Sequence, residues 1–319
     1  MKQFNIKFYG NRRVFFGISF AIIAVGLIFN LIFGTQMDIQ FKGGAMVKYS
    51  YTGEISQESV EQIVQKALNR DVSVSINENV QSSDGKTTLN NVSISFAGSD
   101  SISLEDQQTV AKAMAETYPD AGFEVVQTNS VNPTMGQKFF LKCIVAIALT
   151  FLLLVVYIAF RFKKIGGMSA AVMAIIALMH DVLMVYFTFV IFRIPINDNF
   201  IAVVLTILGY SLNDTVVIYD RIRENRKLMG GKTPIDVLVD SSINQTLTRS
   251  LNTSICTFLA VTVVFVVGSI YQLSSVTTFA LPMMIGIVTG CYSSVCLAGP
   301  MYVMWQKHKE GKKKKASAK

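Results

Sequence analysis

The sequence predicts a polytopic α-helical membrane protein with six transmembrane helices and one α+β, ferredoxin-like domain outside the membrane. Three observations predict it. Of 319 residues, 51% are apolar and 16% charged, where an ordinary soluble domain has roughly 25% charged. The apolar residues gather into six runs, most close to the span of about 20 residues that a bilayer requires. A single polar block, residues 34–138, separates the first run from the other five and carries strand and helix periodicities. Six prolines and no low-complexity core exclude a disordered or fibrous chain.

Residues 14–33 form the first run. It exceeds the roughly 7–15 apolar residues of a cleavable signal, so it reads as an anchor. Residues 139–160 and 168–192 give the second and third spans, and residues 200–219 the fourth, interrupted by Asn213 and Asp214. The stretch 255–267 is too short to cross, so the fifth span is expected to start at Arg249, with Asn252, Thr253 and Ser254 at or inside the membrane edge. Residues 279–305 form the sixth. The resulting units are 1–33 (N-terminus and first span), 34–138 (outside domain), 139–305 (five-helix membrane domain) and 306–319 (basic tail).

Within the polar block, residues 45–51 alternate as a strand. Ser56 is an expected N-cap, and Val60, Ile63, Val64, Ala67 and Leu68 share one helical face. Residues 72–76 alternate again, Asp84-Gly85 signals a turn, and residues 91–96 form a third strand. Ser103 or Leu104 opens a second helix with Val110, Ala113, Met114 and Tyr118 in register; residues 123–126 close as a fourth strand. The order β-α-β-β-α-β is the split βαβ pattern.

Lysines and arginines set the orientation. With the N-terminus in the cytoplasm, the inside segments hold nineteen, including Lys2, Lys232 and Lys319, while the two short outside loops hold only Arg193. Both termini are then cytoplasmic, in a multi-pass membrane protein. The polar block carries seven basic and thirteen acidic residues and lies outside. The net charge of +8 therefore belongs to the cytoplasmic rim, where it meets membrane lipids, and nucleic-acid binding is excluded. Cys143, Cys256, Cys291 and Cys296 all fall in spans and read as apolar core residues, with no metal site or disulfide framework.

Charge inside a bilayer costs about 2.5–3.5 kcal/mol per residue on the insertion scale, so a chain that keeps it usually gains function. His180 and Asp181, Asn213 and Asp214, and Arg249 are such groups. Thr206, Tyr210, Asn213, Asp214 and Val217 fall on one face, expected to look into the bundle. Asp214 and Arg249 reach the same level from neighbouring spans and form the parts of a proton relay; a static buried pair is the alternative. His180 and Asp181 are further relay members or packing partners. Gly286, Gly290, Ser294 and Ala298 recur every four residues and permit close helix packing. No HExxH, GxxxxGK[ST] or GxSxG signature is found, so the sequence points to no enzyme and no cofactor.

The segments GYSLNDTVVIYDRIREN (209–225) and SINQTLTRSLNTS (242–254), with HD at 180–181 and IQFKGG at 39–44, resemble the SecF branch of the bacterial protein-export family. So does the layout of one span, a domain of about a hundred residues and five spans. The resemblance implies an RND-type half that pairs with SecD. It further implies use of the proton motive force in late export of unfolded polypeptide through SecYEG, with Asp214 as the family's membrane aspartate and Arg249 as its arginine. Gln40 stands where the family block usually has an acid, which weakens a charged role there; Gly43-Gly44 marks a turn. An RND-type exporter half for lipids or small molecules and a passive translocase scaffold are the competing readings.

Overall fold

A computed structural model describes residues 5–69, 72–81, 88–97, 102–131, 133–230, 233–271 and 273–317. The expected turn at Asp84-Gly85, and Lys2, Lys232 and Lys319, lie outside them. Among the described residues, six helices are long and apolar enough to cross a membrane. They are α1 (Arg12–Phe33), α5 (Pro133–Arg161), α6 (Gly167–Ile191), α7 (Asp198–Leu228), α8 (Ile235–Ile270) and a last helix in three parts: α9 (Ser274–Tyr292), a π turn (Ser293–Ala298) and α10 (Gly299–Ser317). The fifth helix starts at Ile235, fourteen residues before the expected Arg249. No glycine or proline interrupts the chain between Pro234 and Gly268, so nothing stops the helix at the membrane edge. For the same reason α7 runs on through the charged 220–227 stretch until Gly230, at φ 78°.

Burial sorts the helices. About three-fifths of the most apolar stretch of α6 and of the last helix, and 56% of that of α7, is buried, against 11% in α1, α5 and α8. The first three make the core; the others offer apolar faces to lipid or to a partner. Gly167 begins α6 where an added Cβ would run into the backbone carbonyl of Ala159 on α5. Backbone cannot yield as a side-chain tip can, so Gly167→Ala is expected to cost about 3 kcal/mol, read as a lowered melting temperature of the purified chain.

The polar block forms a separate core. Strands β1 (Gly44–Tyr51), β2 (Val72–Gln81), β3 (Thr88–Ala97) and β4 (Glu124–Val131) make a four-stranded sheet in the order β2-β3-β1-β4. All three pairings are antiparallel; Val47 faces Ile94 on β3 and Thr128 on β4. Alternation puts Ala45, Val47, Tyr49 and Tyr51 of β1 in one core with Val92, Ile94 and Phe96 of β3. Helix α3 (Gln57–Leu68) covers it with Val60 and Val64, and α4 (Leu104–Thr117) with Val110 and Met114. Ser103 and Asp106 form a reciprocal capping box on α4, whereas Ser56 makes no side-chain cap.

Tyr49 is fully buried and its hydroxyl donates to the Gln107 carbonyl at 3.1 Å. Burial pushes its pKa up to about 12. The folded state thus keeps a proton that the unfolded chain releases from pH 10 upward. The stabilisation is complete below pH 10 and is lost between pH 10 and about 12, amounting to about 2–3 kcal/mol. Tyr49→Phe is expected to remove that part of the alkaline loss while costing about 1 kcal/mol below pH 10, measured by thermal melting across this range.

Between α1 and the sheet, the short helix α2 (Ile39–Lys42) ties the two cores together. Ile196, in the α6–α7 loop, donates to the Gln36 carbonyl at 2.8 Å and accepts from Asp38 N–H at 3.0 Å. Asp38 caps Gln40 N–H at 2.9 Å. Burial raises the Asp38 pKa, with Asp198 adding to the rise and the Gln40 bond opposing it. Phe41 is buried against Phe139 and Phe140 of α5, with ring centroids 5.7 and 5.2 Å away. Positive φ at Gly43 (77°) and Gly44 (136°) then turns the chain into β1.

Candidate site between the membrane helices

Helix α7 carries two polar rows side by side, each at i, i+4 spacing. Tyr210 and Asp214 make one, Ser211 and Thr215 the other. The second row turns into the core. Asp181, on α6 and fully buried, accepts from Ser211 Oγ at 2.6 Å and Ser293 Oγ at 2.8 Å on one carboxylate oxygen. Its other oxygen lies 3.1 Å from His180 Nδ1. Ser294 Oγ donates to the Ser211 carbonyl at 3.0 Å and lies 2.9 Å from Thr215 Oγ1. Asp181 therefore joins three elements, and its lone pairs meet donors from each. Ser293 and Ser294 open the π turn, a widened stretch that recurs at functional sites. Pro300, without an N–H to give the turn before it, follows its end after one intervening residue.

The first row faces α8. Tyr210 hydroxyl donates to Ser254 Oγ at 2.9 Å. Asp214 is 3% exposed, and its Oδ2 has no hydrogen-bond partner among the described residues. Ser250, fully buried on α8, faces it, and Ser250 Oγ is likewise unpartnered. Arg249 is one residue away, about 100° around the helix. The expected ion pair between Asp214 and Arg249 is not formed: Arg249 is exposed and within electrostatic reach, yet among the described residues no carboxylate lies at ion-pair distance from it. The register of α8 points Ser250, not Arg249, at α7.

The expected polar face of α7 is also corrected. Thr206 and Asn213 are exposed on the outside of the bundle, and Thr206 bonds back to the Ala202 carbonyl at 2.7 Å. Asp214 and Tyr210 of that set turn toward α8, and Val217 is half-buried. His180 is 8% exposed, and its Nε2 has no hydrogen-bond partner among the described residues. Gly286 receives Ile207, whose Cδ1 would lie 2.6 Å from an added Cβ, and Gly290 receives Ser211 at 3.0 Å. Both bring α9 against α7, and Ser294 and Ala298 continue the buried row. Ser211, Thr215, Ser250 and Ser293 escaped sequence reasoning. The adjacent i, i+4 pairs on α7 were the available signal for the first two; Ser250 and Ser293 had none. Among the described residues no cluster of three metal-ligating side chains occurs, and the cysteines are free thiols.

Comparison with known proteins identifies the family. The family model of protein export membrane proteins SecD/SecF, C-terminal, matches residues 109–308. The protein translocase subunit SecF of Sebaldella termitidis is 31% identical over 316 residues, 99% of this chain and 96% of that protein. The SecDF subunit of Bacillus subtilis is 30% identical over 94% of this chain but only 38% of its own length. In structure, a crystal form of SecDF from Thermus thermophilus, titled a translocon-associated membrane protein, superposes with a TM-score of 0.78 at 26% identity. That match covers 96% of this chain and 39% of the SecDF chain. The chain belongs to the SecD/SecF family of protein export membrane proteins.

Proposed function

We propose that this chain is a SecF-type subunit of the Sec translocase that, with a SecD partner, couples the proton motive force to late protein export through SecYEG. The observation that carries the reading is the Asp214 carboxyl, buried mid-bundle with an unpartnered oxygen, one helix register away from Arg249. Facing Ser250, Asp214 is in the register that suits its neutral form, because an ionised carboxylate there would lack the charge partner that its burial demands. When the proton leaves, the carboxylate attracts the Arg249 guanidinium, and α8 turns or shifts to deliver it. Asp181, Ser211 and Ser293 fix the neighbouring row of α7, so that movement falls on the α7–α8 contact. Moving one charge through 100 mV supplies about 2.3 kcal/mol, enough to shift a balanced two-state equilibrium nearly fifty-fold.

Fused SecDF relatives support the partner: their chains are far longer than the stretch this chain matches. A second bundle would cover the exposed Asn213, Thr206 and Arg249 at membrane depth. The basic helix ends face the cytoplasm in this reading, and the α+β unit, with its β2-β3-β1-β4 sheet, is a ferredoxin-like domain on the other side, reached through α2.

Vesicles reconstituted with SecYEG, the SecD partner and this chain test the proposal. Export of a secretory precursor is expected to rise several-fold when a proton gradient is imposed, and Arg249→Met is expected to abolish that increment while leaving the gradient-independent export in place. Export indifferent to the gradient would assign the chain the passive scaffold role instead.

A further inference from the structure

The corner where α5 ends and α6 begins holds a groove of about 450 Å³, closed on its third side by α10. Its walls are apolar: Ala159 and Phe160 at the end of α5, and Met168 at the start of α6. Phe160 and Met168 are 65% and 63% exposed, so the groove opens toward the lipid-facing side of the bundle. Two cations stand at its lip. Lys163 Nζ lies 4.3 Å from the Phe160 ring centroid, and Lys309 approaches from α10. No acid lines the groove, and the first turn of α6 has none.

The charge pattern at this edge of the bundle is selective. Arg161 pairs with Asp220 at 3.0 Å, and Lys307 with Asp236 at 2.9 Å. Among the described residues, neither Lys163 nor Lys309 has a carboxylate partner, and both border one cavity whose remaining lining is mostly apolar. The uncapped start of α6, where Gly166 takes φ 88°, adds the positive end of a 25-residue helix. The groove itself is held rigidly, since Gln306 Nε2 on α10 donates to the Ile165 carbonyl at 3.2 Å.

We propose that this groove binds one anionic phospholipid. The phosphate sits between Lys163 and Lys309, and an acyl chain lies along Phe160 and Met168. A basic pocket between helices at the charged edge of a membrane bundle has the chemistry for such a headgroup. Free phosphate would satisfy the two ammonium groups but leave the apolar walls uncovered. A bound lipid would join α10 to the α5–α6 corner. The proposal does not depend on the proton-coupling reading, and its test is independent of export.

The full chain in mild detergent is titrated with phosphatidylglycerol or phosphatidylcholine of identical acyl chains, and bound lipid is counted by native mass spectrometry. One phosphatidylglycerol is expected to bind about tenfold more tightly than phosphatidylcholine. The double change Lys163→Gln and Lys309→Gln should erase that preference, whereas Lys312→Gln with Lys313→Gln in the tail should alter it by less than about twofold. Met168→Trp, which fills the groove, should weaken both lipids. Equal binding of the two lipids by the wild-type chain, an unchanged preference in the Lys163/Lys309 variant, or full loss in the tail variant would overturn the proposal. So would competition by millimolar inorganic phosphate that matches competition by intact lipid. Circular-dichroism melting of each variant confirms that the folded chain is being compared.

Discussion

Asp214→Asn is expected to abolish proton-coupled export, lowering both the gradient-dependent increment and proton uptake in vesicles at least about tenfold, while the chain folds normally. Asparagine matches the carboxyl in shape and volume and cannot ionise. Because Asp214 Oδ2 has no hydrogen-bond partner among the described residues, the change removes no bond there. Melting temperature should therefore hold or rise, since a buried group with a costly charged form has been made permanently neutral. Asp214→Glu keeps the titration but lengthens the side chain by one methylene, and is expected to retain part of the coupling. Ser250→Ala isolates the geometry: it removes the facing hydroxyl without touching a charge, and should change coupling far less than Asp214→Asn. Proton uptake read with a lumenal pH dye, alongside export of a precursor, separates these outcomes. Undiminished uptake in Asp214→Asn, together with normal export in Arg249→Met, would remove the relay and leave a scaffold.

How far the sequence carried the fold depends on which forces set each feature. The spans were legible because a bilayer imposes a length and forbids charge, so 168–192 lies within one residue of α6, and 139–160 falls inside α5, which begins six residues earlier at Pro133. The start of α8 was not, because the fourteen residues that follow Pro234, eight of them polar, are as helical as the apolar run beyond them, and hydropathy is blind to a helix that leaves the membrane. The order of the α+β block followed from period-2 and period-3.6 alternation, yet β4 extends to Val131, through Gln127, Thr128, Asn129 and Ser130, which no alternation marks. At the site, Asp214 and Asp181 stood out because charge at membrane depth is expensive. Their partners did not. Serine is ordinary in a membrane helix, and only the rotation of α7, α8 and the π turn decides that Ser211 and Ser293 meet Asp181 while Ser250 meets Asp214. The same rotation turned Arg249 outward. Residues 249 and 250 are one step apart in sequence but about 100° apart on a helix, an angle that hydropathy does not measure.

Asp181→Ala is expected to be the most damaging single change for stability, costing about 3–5 kcal/mol. Asp181 is fully buried, and its two oxygens receive Ser211 from α7, Ser293 from the π turn and the ring of His180 beside it. Alanine leaves two serine hydroxyls and one imidazole nitrogen without this acceptor in the driest part of the core, besides opening a void the size of a carboxyl. The serines keep the longer contacts to the Gly290 carbonyl, at 3.5 Å from Ser211 and 3.2 Å from Ser293, so three weakened groups together lose more than any one bond. Ser293→Ala removes a single donor whose hydroxyl also contacts the Gly290 carbonyl at 3.2 Å, and is expected to cost about 1 kcal/mol. Ser211→Ala should cost somewhat more, because its oxygen lies 2.6 Å from Asp181, the shortest contact of the hub. The two serines share one carboxylate oxygen, so the double Ser211→Ala, Ser293→Ala variant should depart from additivity by more than about 0.5 kcal/mol. Asp181→Asn keeps an acceptor oxygen for the serines and is expected to fall between the extremes in melting temperature. Melting of the purified chain, followed by the helical circular-dichroism signal in one detergent, ranks all five variants. A ranking in which Asp181→Ala melts no lower than Ser293→Ala would mean that the carboxylate is not what holds α6, α7 and the π turn in register.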